Sequence, residues 1–354
     1  MNIYFYDIIP VRSLLEEWTQ KRYPGHLLYG LPVFSEYGIK TILHHVPFNP
    51  YIKRIRLSFH SLKTILTCKE NIDVVYAVTH RGLELLILLR AARLYKKPIA
   101  IWHHTAIVKS KNPFREALSR FFYRGIDRCY FFSDELLNRS LQTGKINSDK
   151  TRVIPWGPDL DFYNIFLTTQ KKNNFISTGR ENRDFITLLK ALSQTKVSCE
   201  IFAPNYGLAS MQEELDQLIS SLPENIKFNY VNIPISEITQ KVAESSAVLI
   251  CCQNHPYTIG LTTLVEALAL GKPIITTDNP TFPFDVEKEG IGIKVPFYDV
   301  ESWVNAINYL ATHEEEAQEM GRKARMLAEN KFNLKAYSKI IAQDILNYKV
   351  LAKK

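Results

Sequence analysis

Tyr257-Thr-Ile-Gly-Leu-Thr-Thr-Leu-Val-Glu-Ala-Leu-Ala-Leu-Gly-Lys-Pro-Ile-Ile-Thr-Thr-Asp278 is the stretch whose reading decides the fold. Just before it, Ala247-Val-Leu-Ile-Cys-Cys252 is an apolar run long enough for one buried strand, and Pro273-Ile-Ile-Thr-Thr277 is a second such run inside it. Between the two, Leu264, Val265, Leu268 and Ala269 recur at helical spacing. Thr262 or Thr263 is placed to cap that helix and Gly271 to stop it. The pattern predicts a strand–loop–helix–strand unit with Gly260 at the helix entry. Small residues at a helix N-terminus let backbone N–H groups and hydroxyls meet a phosphate. Glu266 lies about one turn further on, where a carboxylate can accept hydrogen bonds from a ribose diol. Taken alone, the same residues also suit an ordinary strand–helix–strand unit with a solvated glutamate.

Working outward, 354 residues favour two domains of ordinary size, each able to bury a core. The composition, 46% apolar and 23% charged, is globular. Five cysteines without paired C-x-x-C spacing read as buried thiols of a reducing compartment. No secretory signal and no uninterrupted apolar span of membrane length is evident, so a cytoplasmic location is expected. The net charge of +8 is unevenly placed: residues 1–165 hold 24 Lys and Arg against 14 Asp and Glu, whereas the remainder is slightly acidic. Such asymmetry implies an anionic partner for the first half.

Strand and helix signals alternate through both halves. Residues 3–9, 39–46, 73–79, 98–102 and 127–132 read as strands, with helices at 26–37, 82–95, 113–124 and 134–141 between them. Ile52, Ile55, Phe59, Leu62 and Leu66 mark a further helix, with Lys53, Arg56, His60 and Lys63 on its other face. Its apolar stripe suits packing on its own sheet, or contact with anionic lipid head groups. The strand at 98–102 runs into His103-His104-Thr105. Ligands of open α/β sheets bind outside the C-terminal ends of strands, and a histidine there can exchange protons near neutral pH or bond a sugar hydroxyl. Adjacent histidines in extended chain point opposite ways and make a poor metal pair. Ser133 suits a helix cap. In the second half, the strand Phe175-Ile-Ser-Thr-Gly-Arg180 leads to a second basic residue, Arg183, before a helix at 185–192.

Gly260-x-x-Thr263-x-x-Glu266-Ala-x-Ala-x-Gly271-Lys-Pro273 resembles the nucleotide-binding signature of GT-B glycosyltransferases, and the wider pattern resembles their family 4 (group 1) members. That resemblance implies an α/β GT-B architecture: two Rossmann-like parallel-sheet domains facing a cleft, with a C-terminal helix returning to the first domain. It sets an acceptor domain at 1–165, a nucleotide-sugar-binding domain at 172–332 and the returning helix at 333–354. It further implies that the donor diphosphate lies against Gly260, Leu261, Thr262 and Thr263 with Arg180 and Arg183 as a clamp, since guanidinium groups give several donors to phosphate oxygens. Glu266 would then hold the ribose, and His104, with His103 as the near alternative, would sit beside the donor sugar. Asp159-Leu-Asp161 spells the metal motif of another glycosyltransferase fold, but Pro158 and the following linker argue for a turn.

The chain departs from the family at one position. Family 4 enzymes usually carry an acid eight residues before Glu266, and here that residue is Thr258. The donor sugar is therefore open, and the family's retention of anomeric configuration is only a lean. The expected activity is metal-independent transfer of a sugar from a nucleotide-sugar donor, used as a substrate with no cofactor, to a glycan or polyprenyl-linked acceptor in surface-polysaccharide synthesis. The basic first domain would bring peripheral contact with the anionic inner face of a membrane. A GT-B-fold sugar-nucleotide epimerase and a non-catalytic carbohydrate- or nucleotide-binding protein remain alternatives. A dehydrogenase is disfavoured because no G-x-G-x-x-G follows the first strand, and no nucleic-acid-binding motif is present.

Overall fold

A computed structural model of the protein describes residues 1–45, 53–179, 181–204 and 212–351. It divides into two units, one formed by residues 1–156 with 334–354 and the other by residues 157–333.

Unit 1 alternates β1 (Asn2–Tyr6), α1 (Val11–Thr19), β2 (Lys40–Leu43), α2 (Arg54–Leu66), β3 (Val74–Ala77), α3 (Glu84–Ala91), β4 (Ile99–His103), α4 (Pro113–Arg124), β5 (Arg128–Phe131), α5 (Asp134–Leu141) and β6 (Thr151–Val153). Its strands pair in parallel in the order β2-β1-β3-β4-β5-β6. Ile3 lies opposite Val74, Ala77 opposite Ile101 and His103 opposite Phe131. Parallel strands are covered on both faces, which explains why β3 and β4 are buried at every residue. The expected helix at 26–37 is instead two 3-10 turns, Gly25–Leu28 and Leu31–Tyr37. Tyr29 and Gly30 between them both take positive φ, and a regular helix cannot pass such a pair. Helix α1 adds to the helices expected from the sequence: Val11, Leu14, Leu15 and Trp18 recur at helical spacing, although only Val11 of them is buried.

The predicted core face of α2 is also corrected. Ile52 lies outside the described residues, and Ile55, Phe59 and Leu66 face solvent. Leu57, Ser58, Ser61 and Ile65 are the buried side. The two serines make this possible. Ser58 Oγ donates to Glu84 Oε2 and accepts from the Leu85 amide, and Ser61 Oγ lies 3.2 Å from the Tyr6 hydroxyl. Small hydrogen-bonding side chains let the helix lie close to β1 and α3, where a leucine stripe would not fit. At 113–124 the predicted helix is found, and Ser133 Oγ accepts from the Leu136 amide as an N-cap.

Unit 2 runs α6 (Leu160–Tyr163), β7 (Phe175–Thr178), α7 (Phe185–Leu192), β8 (Cys199–Ala203), α8 (Gln212–Ser220), β9 (Ile226–Tyr230), α9 (Ile235–Glu244), β10 (Ala247–Ile250), α10 (Leu261–Ala269), β11 (Ile274–Thr277), β12 (Gly292–Val295), α11 (Val300–Thr312) and α12 (Glu314–Asn330). Its sheet is parallel in the order β12-β11-β10-β7-β8-β9. The order reverses direction at β7 and β10, the central pair, in register at Ala247 opposite Phe175. Asp159 stands at the N-cap of α6, the turn expected there.

The last helix, α13 (Leu334–Leu351), belongs to unit 1. Its buried Asp344 accepts from Arg128 Nη2 at 2.6 Å and from the Tyr130 hydroxyl at 2.9 Å, which ties the end of the chain to β5. Tyr337 donates to the His26 carbonyl at 3.1 Å. No helix of the described residues is long and apolar enough to cross a membrane.

Candidate functional site

The C-terminal ends of β7 and β10 are where unit 2 concentrates buried polar groups. After β7 the chain passes Gly179 and doubles back, so that residues 182–184 pair antiparallel with residues 251–253. The Asp184 amide donates to the Cys251 carbonyl, the Gln253 amide to the Asn182 carbonyl, and Arg183 bridges Cys252. This clasp points the Arg183 side chain inward. The guanidinium is buried and donates from Nε and Nη2 to the Thr178 carbonyl, both at 3.1 Å, from Nη2 to Thr263 Oγ1 at 2.9 Å and from Nη1 to Cys252 Sγ at 3.1 Å. Every one of these acceptors is uncharged. Among the described residues no carboxylate forms an ion pair with Arg183, although the buried Asp184 is its neighbour in sequence and both act on Cys251 and Cys252.

Two glycines make room for it. A Cβ on Gly179 would lie 2.0 Å from Arg183 Nε, and one on Gly260 would lie 2.6 Å from Ile250 Cγ2 and 3.2 Å from Arg183 Nη1. Gly260 also takes φ +88° as the N-cap of α10. The sequence expectation that Thr262 or Thr263 caps this helix is therefore corrected. The helix begins at Leu261, no side chain caps it, and both threonines stand in its first turn. Thr262 is exposed, while Thr263 is buried and spends its hydroxyl on Arg183 and the Thr178 carbonyl. First-turn amides have no acceptor within their own helix. Leu261, Thr262 and Thr263 thus present N–H groups and the positive end of the helix dipole beside a buried guanidinium.

Glu266 follows one turn along α10, on the side of Thr262 and Thr263 by the i, i+4 and i, i+3 spacing. It is buried, and Oε1 accepts from Thr239 Oγ1 of α9 at 2.6 Å. Burial pushes its carboxyl up to about 7, with the Thr239 hydroxyl opposing that rise. The solvated-glutamate alternative does not hold for this side chain. Thr239→Val should remove the opposing hydrogen bond and move the carboxyl's titration further upward, an effect read by NMR titration of the Glu266 carboxyl carbon against the natural chain.

Beyond Glu266 the helix ends as the sequence requires. The Lys272 amide bonds the Ala267 carbonyl and the Gly271 amide the Leu268 carbonyl, with Gly271 at positive φ. Lys272 is buried and its ammonium donates to the carbonyls of Ala243 and Ser245 at 2.6 and 2.5 Å. It joins the C-terminal ends of α9 and α10, at the opposite end of α10 from Gly260, and is a brace between helices.

In unit 1 the two histidines differ. His103 ends β4, is buried, stacks on Phe131 at 5.2 Å, and is pushed down to about 3 by burial. His104 is exposed to solvent while its ring lies against Phe132 at 5.2 Å and Tyr29 at 5.8 Å. Its Nε2 is 3.0 Å from the Val78 carbonyl. A carbonyl only accepts, so Nε2 carries the proton and Nδ1 of the neutral ring is left as an acceptor.

Within unit 2 the predicted residues Gly260, Leu261, Thr262, Thr263, Glu266 and Arg183 come together around one helix start, while Arg180 lies outside the described residues. His103 and His104 stand together at one strand end of unit 1. Sequence reasoning missed Thr178, Thr239 and Cys252. Only their position at strand ends or on the helix facing α10 gives them a role, and no local motif announces it. Among the described residues no group of three His, Cys, Asp or Glu side chains could hold a metal ion.

Two family models match the chain: Glycosyltransferase Family 4 over residues 14–162 and Glycosyl transferases group 1 over residues 170–327. No curated protein matches. Among solved structures, a glycosyltransferase from Rickettsia africae aligns over 98% of both chains with 16% identity and a TM-score of 0.68. The Anabaena protein Alr3699/HepE in complex with UDP-glucose aligns over 98% of this chain and 100% of its own, with 17% identity and a TM-score of 0.69. A sucrose-phosphate synthase from Thermosynechococcus elongatus aligns over 100% of both, with 15% identity and a TM-score of 0.71. At these identities the likeness is one of fold.

Proposed function

The chain belongs to the family 4, group 1 glycosyltransferases of the GT-B fold, and from that membership we propose that it moves a sugar from a nucleoside-diphosphate sugar to a hydroxyl of a glycan or polyprenyl-linked acceptor. The observation that carries this reading is the buried Arg183 guanidinium, without a carboxylate partner among the described residues, bonded to Thr263 in the first turn of an uncapped helix. Such a site is built for an anion. Arg183 has five N–H groups, four of them engaged within the protein, and the remaining one together with the amides of Leu261 to Thr263 would hold the donor diphosphate. Glu266 lies three residues beyond Thr263, a rise of about 4.5 Å, which suits the step from a diphosphate to the ribose hydroxyls. Negative charge grows on the diphosphate as the sugar departs, so donors fixed beforehand stabilise the transition state.

These cationic and amide donors supply what a divalent ion supplies elsewhere, and the reaction is read as metal-independent. Arg180 completes the clamp in this reading. His104 Nδ1 is the group of unit 1 suited to accept a hydrogen bond from a sugar hydroxyl, with the buried His103 behind it. The UDP-glucose complex of the Anabaena neighbour supports a nucleotide sugar as donor.

The test is a thermal-shift panel of nucleoside diphosphates and their sugars, followed by product analysis with the sugars that bind. Binding and turnover are expected to persist in EDTA. His104→Ala should lower turnover at least about tenfold while leaving nucleotide affinity unchanged. The anomeric proton signal of the product reports retention or inversion in the same assay. If no nucleotide sugar binds, the reading fails; binding without product or donor breakdown identifies a binding protein instead.

A further inference from the structure

The sheet of unit 1 also reverses direction. From β1 the chain crosses to β2 on one side and then to β3 on the other. Such a switch point leaves a crevice outside the C-terminal ends of the two strands, and ligands of open α/β sheets bind there. In unit 2 the same rule marks β7 and β10, where the anion site stands. In unit 1 it marks the ends of β1 and β3. Tyr6 lies opposite Ala77 in register, and the Val78 amide donates to the Tyr6 carbonyl at 3.0 Å, so Asp7 and Val78 are the first residues past the two strands.

Asp7 is a buried carboxyl with little to hold it. It is 5% exposed, and its Oδ1 accepts from the Ile8 amide at 2.6 Å. Among the described residues no cation pairs with it and no side chain donates to it. Burial pushes its pKa up to about 6, against the hydrogen bonds from the Ile8 and Ile9 amides. An asparagine would bond the Ile8 amide as well and carry no charge into the interior, so local folding gives no reason for the acid. The ionisable groups around it are tyrosines and a histidine. Tyr6 precedes it and donates to the Arg81 carbonyl, and His44 from the end of β2 lies against Tyr6 at 4.6 Å and bonds Tyr4. Tyr29 faces it from the turn at 25–30, where burial first and then the Asp7 charge push the Tyr29 hydroxyl up. The charges of Arg81 and Glu84 act on Tyr6 rather than on Asp7.

His104 stands at the same rim. Its Nε2 donates to the carbonyl of Val78, the residue beside Asp7, and its ring lies 5.8 Å from that of Tyr29. Trp102 and Trp156 back the Tyr29 ring at 5.3 and 6.1 Å. The rim therefore carries an open ring nitrogen, an aromatic wall and a carboxylate. A few polar groups on such a lining orient a small polar ligand.

We propose that Asp7 is the catalytic base of the transfer: its carboxylate takes the proton of the attacking acceptor hydroxyl, and the sugar is transferred with inversion. The acceptor oxygen forms its bond to the anomeric carbon as the bond from that carbon to the diphosphate breaks, and the electron pair leaves with the diphosphate. Attack from the face opposite the leaving group needs a base of its own, because the diphosphate oxygens lie on the wrong side to receive the hydroxyl proton. A carboxyl raised to about 6 is ionised at neutral pH and more basic than a solvated one, which suits it to that task. His104 Nδ1 is left to hold a neighbouring hydroxyl. Base catalysis of this kind rests on the nucleotide-sugar reading and decides the stereochemistry which that reading leaves open.

The experiment incubates the natural chain, Asp7→Asn and His104→Ala with UDP-glucose, UDP-galactose and UDP-N-acetylglucosamine, with water as the acceptor, and follows sugar release by proton NMR. These donors are α-linked, so the sugar first released should be the β-anomer, before mutarotation mixes the two. Asp7→Asn should lower kcat at least about 100-fold and leave the affinity for UDP within about twofold. The natural chain should lose activity below about pH 6, as the carboxylate takes up a proton. That limb should persist in His104→Ala and vanish in Asp7→Asn. Above pH 6 the natural chain carries the full penalty of a buried charge, so Asp7→Asn should unfold at a higher temperature there, which separates lost chemistry from lost folding. An α-anomer as first product, unchanged turnover in Asp7→Asn, or a limb that disappears in His104→Ala overturns the proposal. So does binding of these donors without any breakdown. If neither these nor any other nucleotide sugar binds, the donor reading falls and the base with it; every other failure leaves that reading standing.

Discussion

Glu266→Gln should make the protein more stable above pH 7 and, at the same pH, bind nucleotide worse. The carboxyl titrates near 4.5 in the unfolded chain and at about 7 in the fold, because burial penalises its charged form. Between those values the native state holds a proton that the unfolded state has lost, so the natural chain loses stability as pH rises through this window. The deficit is complete once pH passes the folded value and amounts to about 3 kcal/mol at 1.36 kcal/mol per pH unit. Glutamine keeps an oxygen for the Thr239 hydroxyl and has no charge to bury. Unfolding curves of the two proteins should therefore coincide near pH 4.5, separate between there and pH 7, and run parallel beyond.

The binding side has the opposite sign. Ribose hydroxyls donate best to a carboxylate, so affinity of the natural chain for a nucleoside diphosphate should climb as pH passes about 7 and then level off. The glutamine variant should lack that climb and bind roughly 10- to 100-fold more weakly at pH 8, the loss of one or two hydrogen bonds to a charged acceptor. Calorimetric titration at pH 6 and pH 8 measures both effects. An unchanged affinity would remove Glu266 from the site, and a less stable variant would mean that the carboxylate is not destabilised by burial.

Arg183→Ala is expected to remove stability and activity together. The side chain holds the Thr178 carbonyl, Thr263 Oγ1 and Cys252 Sγ, and truncation leaves a buried void and removes all of its hydrogen bonds to them. A cost of about 3–5 kcal/mol follows from breaking such a buried polar network. That is a fall of roughly 10 °C in the transition of a unit of this size. Turnover should drop at least about 100-fold, since the charge facing the diphosphate is gone. Arg183→Lys should rescue little: an ammonium has no planar fork to reach the Thr178 carbonyl and Thr263 at once. Gly179→Ala is the independent check. Its Cβ would lie 2.0 Å from Arg183 Nε and must displace the guanidinium, so it should reproduce the loss without touching the arginine. An arginine that could be replaced by lysine without effect would mean that only its charge matters.

The histidine pair shows how far local sequence carries. Its place at the end of a parallel strand follows from the run Pro98-Ile-Ala-Ile-Trp102, and β4 extends to His103. Which ring stays open was not legible. That depends on Phe131 lying against one ring and the Val78 carbonyl against the other, partners from β5 and the end of β3. Helix α2 fails in the opposite direction. Its apolar period is regular, and periodicity points to a helix but not to which face finds a partner. Ser58 and Ser61 claim the core through Glu84 and Tyr6, which are distant in sequence.

What the sequence by itself determined is the alternation of strands and helices, the parallel-sheet class and the span of α10, because apolar period, Gly260 and Gly271 act over a few neighbouring residues. What only the tertiary structure decided is that Arg183 turns inward onto uncharged acceptors, that Lys272 braces two helices, that Thr239 holds Glu266, and that the stripe of α2 looks outward. Each of these is settled by burial and by a hydrogen-bond partner from another element, and desolvation acts on a side chain only after distant parts of the chain have closed around it.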